Sequence, residues 1–394
     1  MLIRMKKKSY SIFSILIFII LFIIILFIIL FIIKKRDEIK YEKFTINENF
    51  KYYRCNNKVL GTIIQDIFDK NNITNGNDDW NLYIPCGYNN VEEELKGILI
   101  KDNLKNKYVF GLNGCDSIVS KNKIWESLVK CYGRKSSSKL MPESYVLSDT
   151  IEMLIFSKDF NPSKNDIYIL KKNLQRKEGL KLTKDYYEIV SSKNDNYKVV
   201  QKYIRNLYLI NQRKVNLRVY LMVVIKENQI YFYLCRGGKC IYTNKKYNDN
   251  DFDFESNITS YNLDMSIYQE NPRTFNELIE YINSNGDNGD FLFDKIEKLM
   301  KDISYCLSKN LYQSENIKKT ISFQLFGADV IFDNDLHPYL LEINKGPDMS
   351  PRDDIDEIMK GNVQTDMFKI VGILPDDNNN SFYLIHQDYV KDQK

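Results

Sequence analysis

Histidine is almost missing from this 394-residue chain: there are two, beside seven cysteines. No two cysteines form a CxxC, the nearest pair being Cys235 and Cys240, so the spacing supports no Cys/His zinc arrangement. Seven scattered cysteines without a motif read as reduced thiols in a cytosolic compartment. Charge of one sign is equally scarce. Lys and Arg number 56 against 52 Asp and Glu, and a net charge of +4 is too small to argue for a nucleic-acid partner. No internal repeat is visible, which excludes a solenoid. What remains is ordinary globular composition, 44% hydrophobic and 27% charged, in a chain long enough for one large or two to three small domains.

One stretch is not ordinary. Residues 11–33 are an apolar run broken only by Ser14. As a helix rising ~1.5 Å per residue, such a run spans a bilayer core of ~30 Å. It is too long for the apolar region of a signal peptide and lacks a small-residue cleavage site. The expectation is an uncleaved single-pass membrane anchor. Basic residues flank it on both sides, so the positive-inside rule does not orient it.

Beyond a charged linker, residues 37–48, the pattern is mixed. "NKIWESLVKCYG" and "FDKIEKLMKDISYCL" have helical periodicity, the first with a glycine stop. "NDDWNLYIP" and "YKVVQKYI" read as strands, and "DIYILKKNLQRKEGLKLT" as strand, loop, strand. "NLRVYLMVVIKENQIYFYLCR" predicts a hairpin turned at Glu227-Asn228, and "ISFQLFGADVIFDNDLHPYLLEIN" a second one turned between Asp333 and His337. Helices alternating with antiparallel hairpins predict an α+β fold.

The second hairpin carries chemistry. Glu342 and Asn344 are two apart on a strand and therefore share a face. Folding about Asp335 places Asp329 roughly opposite Glu342, so three oxygen-bearing side chains converge on one patch of ladder. Such a set suits magnesium, which takes one or two carboxylates plus substrate phosphates, and equally suits a solvated hairpin face. Lys171 ends the apolar run "IYIL", as a phosphate-binding lysine does and as a surface lysine also does. Arg218 interrupts the β run "LRVYLMVV", and a charge there must be paired or face a site.

Taken together, these stretches resemble the tubulin–tyrosine ligase family, with its glutamylase and glycylase branches, of the ATP-grasp fold. The resemblance runs from "LNGCDSIVSKNKIWESL" through "MPESYVL", "YILKKNLQRKEGLKL", "VVQKYI", "LINQRKVNLRVYLMVV" and "CRGGKC" to "FGADVIFDNDLHPYLLEINKGPDMS". It implies antiparallel sheets clamping ATP, and a ligase that joins a free amino acid to a protein carboxylate through an acyl-phosphate. By motif, Lys171 would contact the phosphates, and Gln201, Lys202, Tyr203 and Ile204 would form the hinge strand against adenine. Lys214 would meet the nucleotide. Arg218 and Arg236 would hold the γ-phosphate and the acyl-phosphate, and Asp329, Glu342 and Asn344 would hold Mg²⁺.

The implied organisation is an anchor with its flank (residues 1–40), an N-terminal α/β subdomain (41–140), a central subdomain (141–205) and a C-terminal subdomain with the metal site (206–394). The implied partners are an acidic-tailed protein such as tubulin, a free amino acid and a membrane, with the catalytic domain facing the cytosol. Three departures stand out: a short, glycine-poor loop after Lys171, Asn216 where the family has an acid, and Lys345 where a small residue is usual. They leave open a second reading, a non-catalytic nucleotide- or tubulin-tail-binding module that retains the fold.

Overall fold

A computed structural model of the protein describes residues 49–77, 79–98, 107–174, 179–248, 250, 252–259 and 262–390. Short strands come first: β1 (Lys51–Arg54), β2 (Thr74–Asn75), β3 (Leu82–Ile84) and β4 (Tyr108–Phe110). A separate four-stranded antiparallel sheet follows, made of β5 (Ser144–Val146), β6 (Tyr168–Lys171), β7 (Leu180–Thr183) and β8 (Val199–Lys202), in the order β5-β8-β6-β7. The long strands are β9 (Val215–Lys226), β10 (Gln229–Tyr242), β11 (Ile321–Phe332), β12 (Pro338–Asn344) and β13 (Phe382–Tyr389). They join β1–β4 in one nine-stranded sheet ordered β13-β10-β9-β11-β4-β3-β1-β2, with β12 also paired to β11. The fold is mixed α+β. The long strands pair antiparallel, as the two hairpins predict, whereas β1, β3, β4 and β11 pair parallel.

Both hairpins form where the turn residues demand. Glu227 and Asn228 have φ of 53° and 61°, the left-handed pair of a two-residue turn whose twist matches the strands it joins. In the second hairpin, Asp333 accepts hydrogen bonds from the amides of Asp335 and His337. Strands β9 and β11 are buried along most of their length, because helices cover the sheet. Among those helices are α1 (Thr62–Lys70), α2 (Val91–Lys96), α3 (Cys115–Val119), α4 (Lys121–Tyr132), α5 (Gly289–Leu307) and α6 (Asp354–Ile370). Helix α4 buries Lys121, Ile124, Trp125 and Leu128 as one stripe and stops at Gly133, whose φ of 73° suits glycine.

Two expectations are corrected. No helix among the described residues is long and apolar enough to cross a membrane, so a single-pass membrane protein is not supported. The longest described helix, α5, is amphipathic and carries Asp290, Asp294, Lys295, Glu297, Lys298, Lys301 and Asp302. The apolar run at 11–33 lies outside the described residues. Nor are all the thiols reduced: Cys55 pairs with Cys86 and Cys131 with Cys306 in disulfides. The partners are 31 and 175 residues apart in sequence, a pairing that only the fold brings about. Cys115, Cys235 and Cys240 are free and buried.

An ion network fixes the start of α6. The fully buried Asp356 accepts from Lys239 Nζ at 2.6 Å and pairs with Lys360 Nζ at 2.8 Å, while Arg273 grips Asp353 at 2.5 and 2.8 Å. Asp353 also caps the helix by accepting from the Asp356 amide. Replacing Asp356 by Ala leaves two ammonium groups buried without their shared carboxylate. Urea unfolding should show a loss of about 3–5 kcal/mol. Asp353→Ala, at a half-exposed cap, should cost about 1–2 kcal/mol; equal losses for the two variants would contradict this ranking.

Candidate functional site

Strand register assembles the site. Arg218 on β9 lies opposite Asp329 on β11, and Asp329 lies opposite Glu342 on β12. Directly opposed residues share a face, so three charged side chains stand in a row across three strands. Arg218 Nε donates to Asp329 Oδ1 at 2.7 Å and Nη2 to Oδ2 at 3.3 Å. Asn344, two residues beyond Glu342, donates to Glu342 Oε1 at 3.3 Å and to Asp329 Oδ2 at 3.4 Å. The opposed pairing read from the hairpin thus brings all three oxygen-bearing side chains together. Gly327 makes room for it. A Cβ there would lie 2.9 Å from Arg218 Cδ and 3.0 Å from Pro347 Cβ, so only bare backbone lets the arginine lie flat.

These residues sit in a cleft of about 180 Å³ between the two sheets. Its lining includes Lys171, Gln201, Lys202, Tyr203, Ile204, Lys214, Arg218, Asp329, Glu342 and Asn344. Arg236 stands apart: it is exposed, its guanidinium lying 5.0 Å from the centre of the Tyr383 ring. The β9–β10 ladder slips between Leu234 and Gly238, where Cys235, Arg236 and Gly237 on β10 match the single Tyr220 on β9, and this bulge carries Arg236. The hinge segment is held by the Lys202 amide on Glu143 O and the Tyr203 amide on Ile167 O. Among the described residues the Ile204 amide meets no protein acceptor.

One further cation belongs to the set. Lys121, the first residue of α4, reaches Glu342 Oε2 at 3.3 Å and Leu174 O at 3.1 Å. Its signal was in the sequence: it occupies the apolar stripe of α4 at helical spacing from Ile124, Trp125 and Leu128, where a surface lysine has no place. At a helix N-terminus, moreover, a cation is disfavoured unless something anionic faces it.

The electrostatics are those of an unfinished site. Burial pushes the Asp329 carboxyl up, and the neighbouring Glu342 charge adds to it against the pull of Arg218. At Glu342 burial also opposes ionisation, but the Lys121 and Lys171 ammoniums outweigh it and hold the carboxyl below its usual range. At Lys171, deeper in the cleft, burial outweighs the favourable Glu342 and Asp329 charges, whereas at Lys214 burial and the Lys171 charge both oppose the ammonium. Lys171 Nζ has the Leu341 carbonyl at 3.3 Å, and Lys214 Nζ has Asn257 O at 2.9 Å and Tyr203 OH at 3.3 Å. Among the described residues neither pairs with a carboxylate. Burial lowers Lys171 to about 8, and burial with the nearby Lys171 charge lowers Lys214 to about 7. Asn216, which donates to Thr259 Oγ1 at 2.9 Å, leaves its buried Oδ1 without a hydrogen-bond partner. Buried cations and an orphan acceptor around two carboxylates suit a polyanion with hydroxyl groups, accompanied by a hard divalent cation.

The family model for the tubulin-tyrosine ligase family matches residues 102–381. The chain is 24% identical over 284 residues to a tubulin monoglutamylase (TTLL4) of Mus musculus, covering 66% of this chain and 23% of the relative. It is 24% identical over 291 residues to a probable beta-tubulin polyglutamylase of Tetrahymena thermophila, covering 66% and 23%. Over 259 residues it is 25% identical to a tubulin glycylase (3B) of Drosophila melanogaster, covering 61% and 34%. The chain thus spans about a quarter to a third of the length of these relatives.

Lys214 gives a pH test. Its folded pKa of about 7 lies below the ~10.4 of an unfolded lysine, so the unfolded chain binds more protons between these values. Stability should therefore rise with pH across that window. Thermal melts from pH 7 to 9 should show a smaller rise for Lys214→Met than for the parent. Equal slopes would show that the ammonium is not desolvated.

Proposed function

The chain belongs to the tubulin-tyrosine ligase family, and on that premise we propose that it is an ATP-dependent ligase joining an amino acid to a protein carboxylate. The observation that carries the reading is the pair of buried ammoniums, Lys171 and Lys214, which form no ion pair with a carboxylate among the described residues and face the same cleft as Asp329, Glu342 and Asn344. A nucleoside triphosphate supplies what both halves lack: phosphates for the lysines, and oxygens that complete a magnesium shell begun by the two carboxylates and the amide. The orphan Asn216 Oδ1 can accept from a sugar hydroxyl, and the unpartnered Ile204 amide can donate to a base. These features support the ATP-grasp reading.

In this reading an acceptor carboxylate oxygen attacks the γ-phosphorus and ADP leaves. The amino-acid amine then attacks the acyl carbon, and phosphate leaves. Neither step needs a protein nucleophile. Bound Mg²⁺ would neutralise phosphate charge. Lys121, Lys171 and Arg218 would orient the transferred group and stabilise its spread charge from fixed positions. Arg236 lies outside the lining of this cleft, over the Tyr383 ring.

A second cavity, of about 340 Å³, opens on the far side of Arg218 and Asn344 and shares both residues with the cleft. Arg54, Thr62, Tyr88, Phe110 and Asp348 also line it. It is the proposed place for the acceptor side chain. With Arg54 and Arg218 both facing it, it suits an acidic protein tail, and tubulin, named in the relatives' descriptions, is the acceptor to try first.

The full chain should be incubated with Mg-ATP, tubulin and labelled glutamate, glycine or tyrosine. Label should enter tubulin from one of these amino acids, with one ADP formed per residue added. Lys171→Met should bind tubulin normally and lower incorporation by about a hundredfold or more. ATP binding without ADP formation, with every amino acid offered, would make the chain a non-catalytic module.

A further inference from the structure

The acceptor cavity is walled on one side by two loops that no backbone ladder joins. Strands β1 and β3 pair only as far as Arg54 and Ile84. Beyond that point the chain continues into residues 55–61 on one side and 85–90 on the other. Arg54 at the end of β1, Leu60 and Gly61 of the first loop, and Pro85, Gly87 and Tyr88 of the second reach the cavity. The Cys55–Cys86 disulfide bridges them at the place where the ladder ends. Asn56 and Asn57 turn the first loop through the left-handed region, with φ of 53° and 49°. In the second loop Gly87, Tyr88, Asn89 and Asn90 are exposed.

The remaining ties combine hydrogen bonds with the burial of Leu60 and Pro85 and an edge contact between the Tyr88 and Phe110 rings. Lys58 Nζ reaches Cys86 O at 3.3 Å, Glu94 Oε1 accepts from the Cys86 amide at 2.7 Å, and Lys345 Nζ donates to Asn89 O at 3.1 Å. The wall also touches the metal-ligand strand. A Cβ on Gly346 would lie 2.1 Å from the Tyr88 ring, so the ring rests on bare backbone two residues past Asn344. Arg54 Nη1 donates to Val59 O at 2.5 Å within the same loop, and its buried Nε has no partner. The position of the arginine thus depends on the loop that the disulfide anchors.

Both cysteines, as residues, are half-buried at this rim. Of the second pair, Cys306 is fully buried in the core on α5. We propose that Cys55–Cys86 is a thiol–disulfide exchange site that sets the affinity of the acceptor cavity while leaving the nucleotide cleft alone. A dithiol reductant attacks one sulfur through its thiolate and forms a mixed disulfide. Its second thiol then displaces the protein sulfur. The protein gains two electrons and two protons as two thiols, and the reductant leaves as a cyclic disulfide. With the bond gone, the covalent tie between residues 55–61 and 85–90 is lost, leaving their hydrogen bonds, the burial of Leu60 and Pro85 and the Tyr88–Phe110 ring contact. The Arg54 guanidinium and the Tyr88 ring are then held more loosely, and acidic acceptors bind more weakly. The proposal rests on the reading of this cavity as the acceptor site.

The test uses the full chain before and after dithiothreitol, with thiol mass labelling to confirm which pair opens. Amide hydrogen exchange over residues 55–61 and 85–90 should accelerate by about tenfold or more on reduction, with β9–β12 unchanged. Binding of an oligoglutamate peptide, with a non-hydrolysable ATP analogue present, should weaken by about fivefold to tenfold, while affinity for the analogue stays constant. The double variant Cys55→Ser/Cys86→Ser should match the reduced protein and ignore dithiothreitol. Cys131→Ser/Cys306→Ser should remain sensitive to it. Unchanged exchange in protein shown to be reduced at Cys55 and Cys86 would overturn the switch, as would faster exchange with unchanged peptide affinity. No peptide binding in either form would refute the acceptor reading instead, and the exchange arm would then decide on its own whether reduction releases the wall.

Discussion

Two carboxylates held side by side repel each other, and the site is organised around making that tolerable. Asp329 and Glu342 are opposed across one rung of the β11–β12 ladder, and Asn344 bridges their oxygens. Arg218 neutralises one and Lys121 the other. Without those cations, one carboxyl would stay protonated and the patch could not serve a metal. In the proposed reading, a divalent cation arriving with phosphates would take over that neutralisation.

The rest of the fold serves that rung. A long antiparallel hairpin fixes the register to the residue, because a slip of one would turn Asp329 away from the cleft. Gly327 gives Arg218 a flat seat. Helix α4 delivers Lys121 from the opposite side, and the small sheet contributes Lys171 and the hinge strand. Behind Pro347, the loop that leaves β12 runs to α6, whose first turn is anchored by the buried Lys239–Asp356–Lys360 network. The metal-ligand strand therefore has no slack at either end. The same rung also divides the two cavities, placing Arg218 and Asn344 in both.

Much of this was legible because period-2 patterning and turn chemistry are local. The two hairpins and the rough convergence of Asp329, Glu342 and Asn344 followed from alternation and the turn near Asp335, whereas the direct opposition of Asp329 to Glu342 depends on a register shift between Asp329 and Val330 that alternation does not reveal. Lys121 was overlooked because its stripe was read only as packing. Arg236 was assigned by motif, yet the bulge between Leu234 and Gly238 carries it to Tyr383, and a bulge leaves little mark on alternation. Strand β3 was read in "NDDWNLYIP", whereas β1 and β4, of four and three residues, are too short to announce themselves, and the parallel pairing of all three depends on helices that return the chain. Disulfide partners are set by the same long-range topology, so spacing could not reveal them.

The central claim is that the Asp329–Glu342 rung holds a divalent cation together with a triphosphate. Calorimetric titration of ATP into the full chain, with magnesium and then with excess chelator, tests it most directly, with Glu342→Gln run in parallel. The account predicts that magnesium tightens ATP binding by about tenfold or more in the parent. In Glu342→Gln, which keeps the volume and removes the charge, that gain should nearly vanish while the protein remains as stable as the parent or becomes more so. Equal ATP affinity with and without magnesium in the parent, or a full magnesium effect in Glu342→Gln, would contradict it.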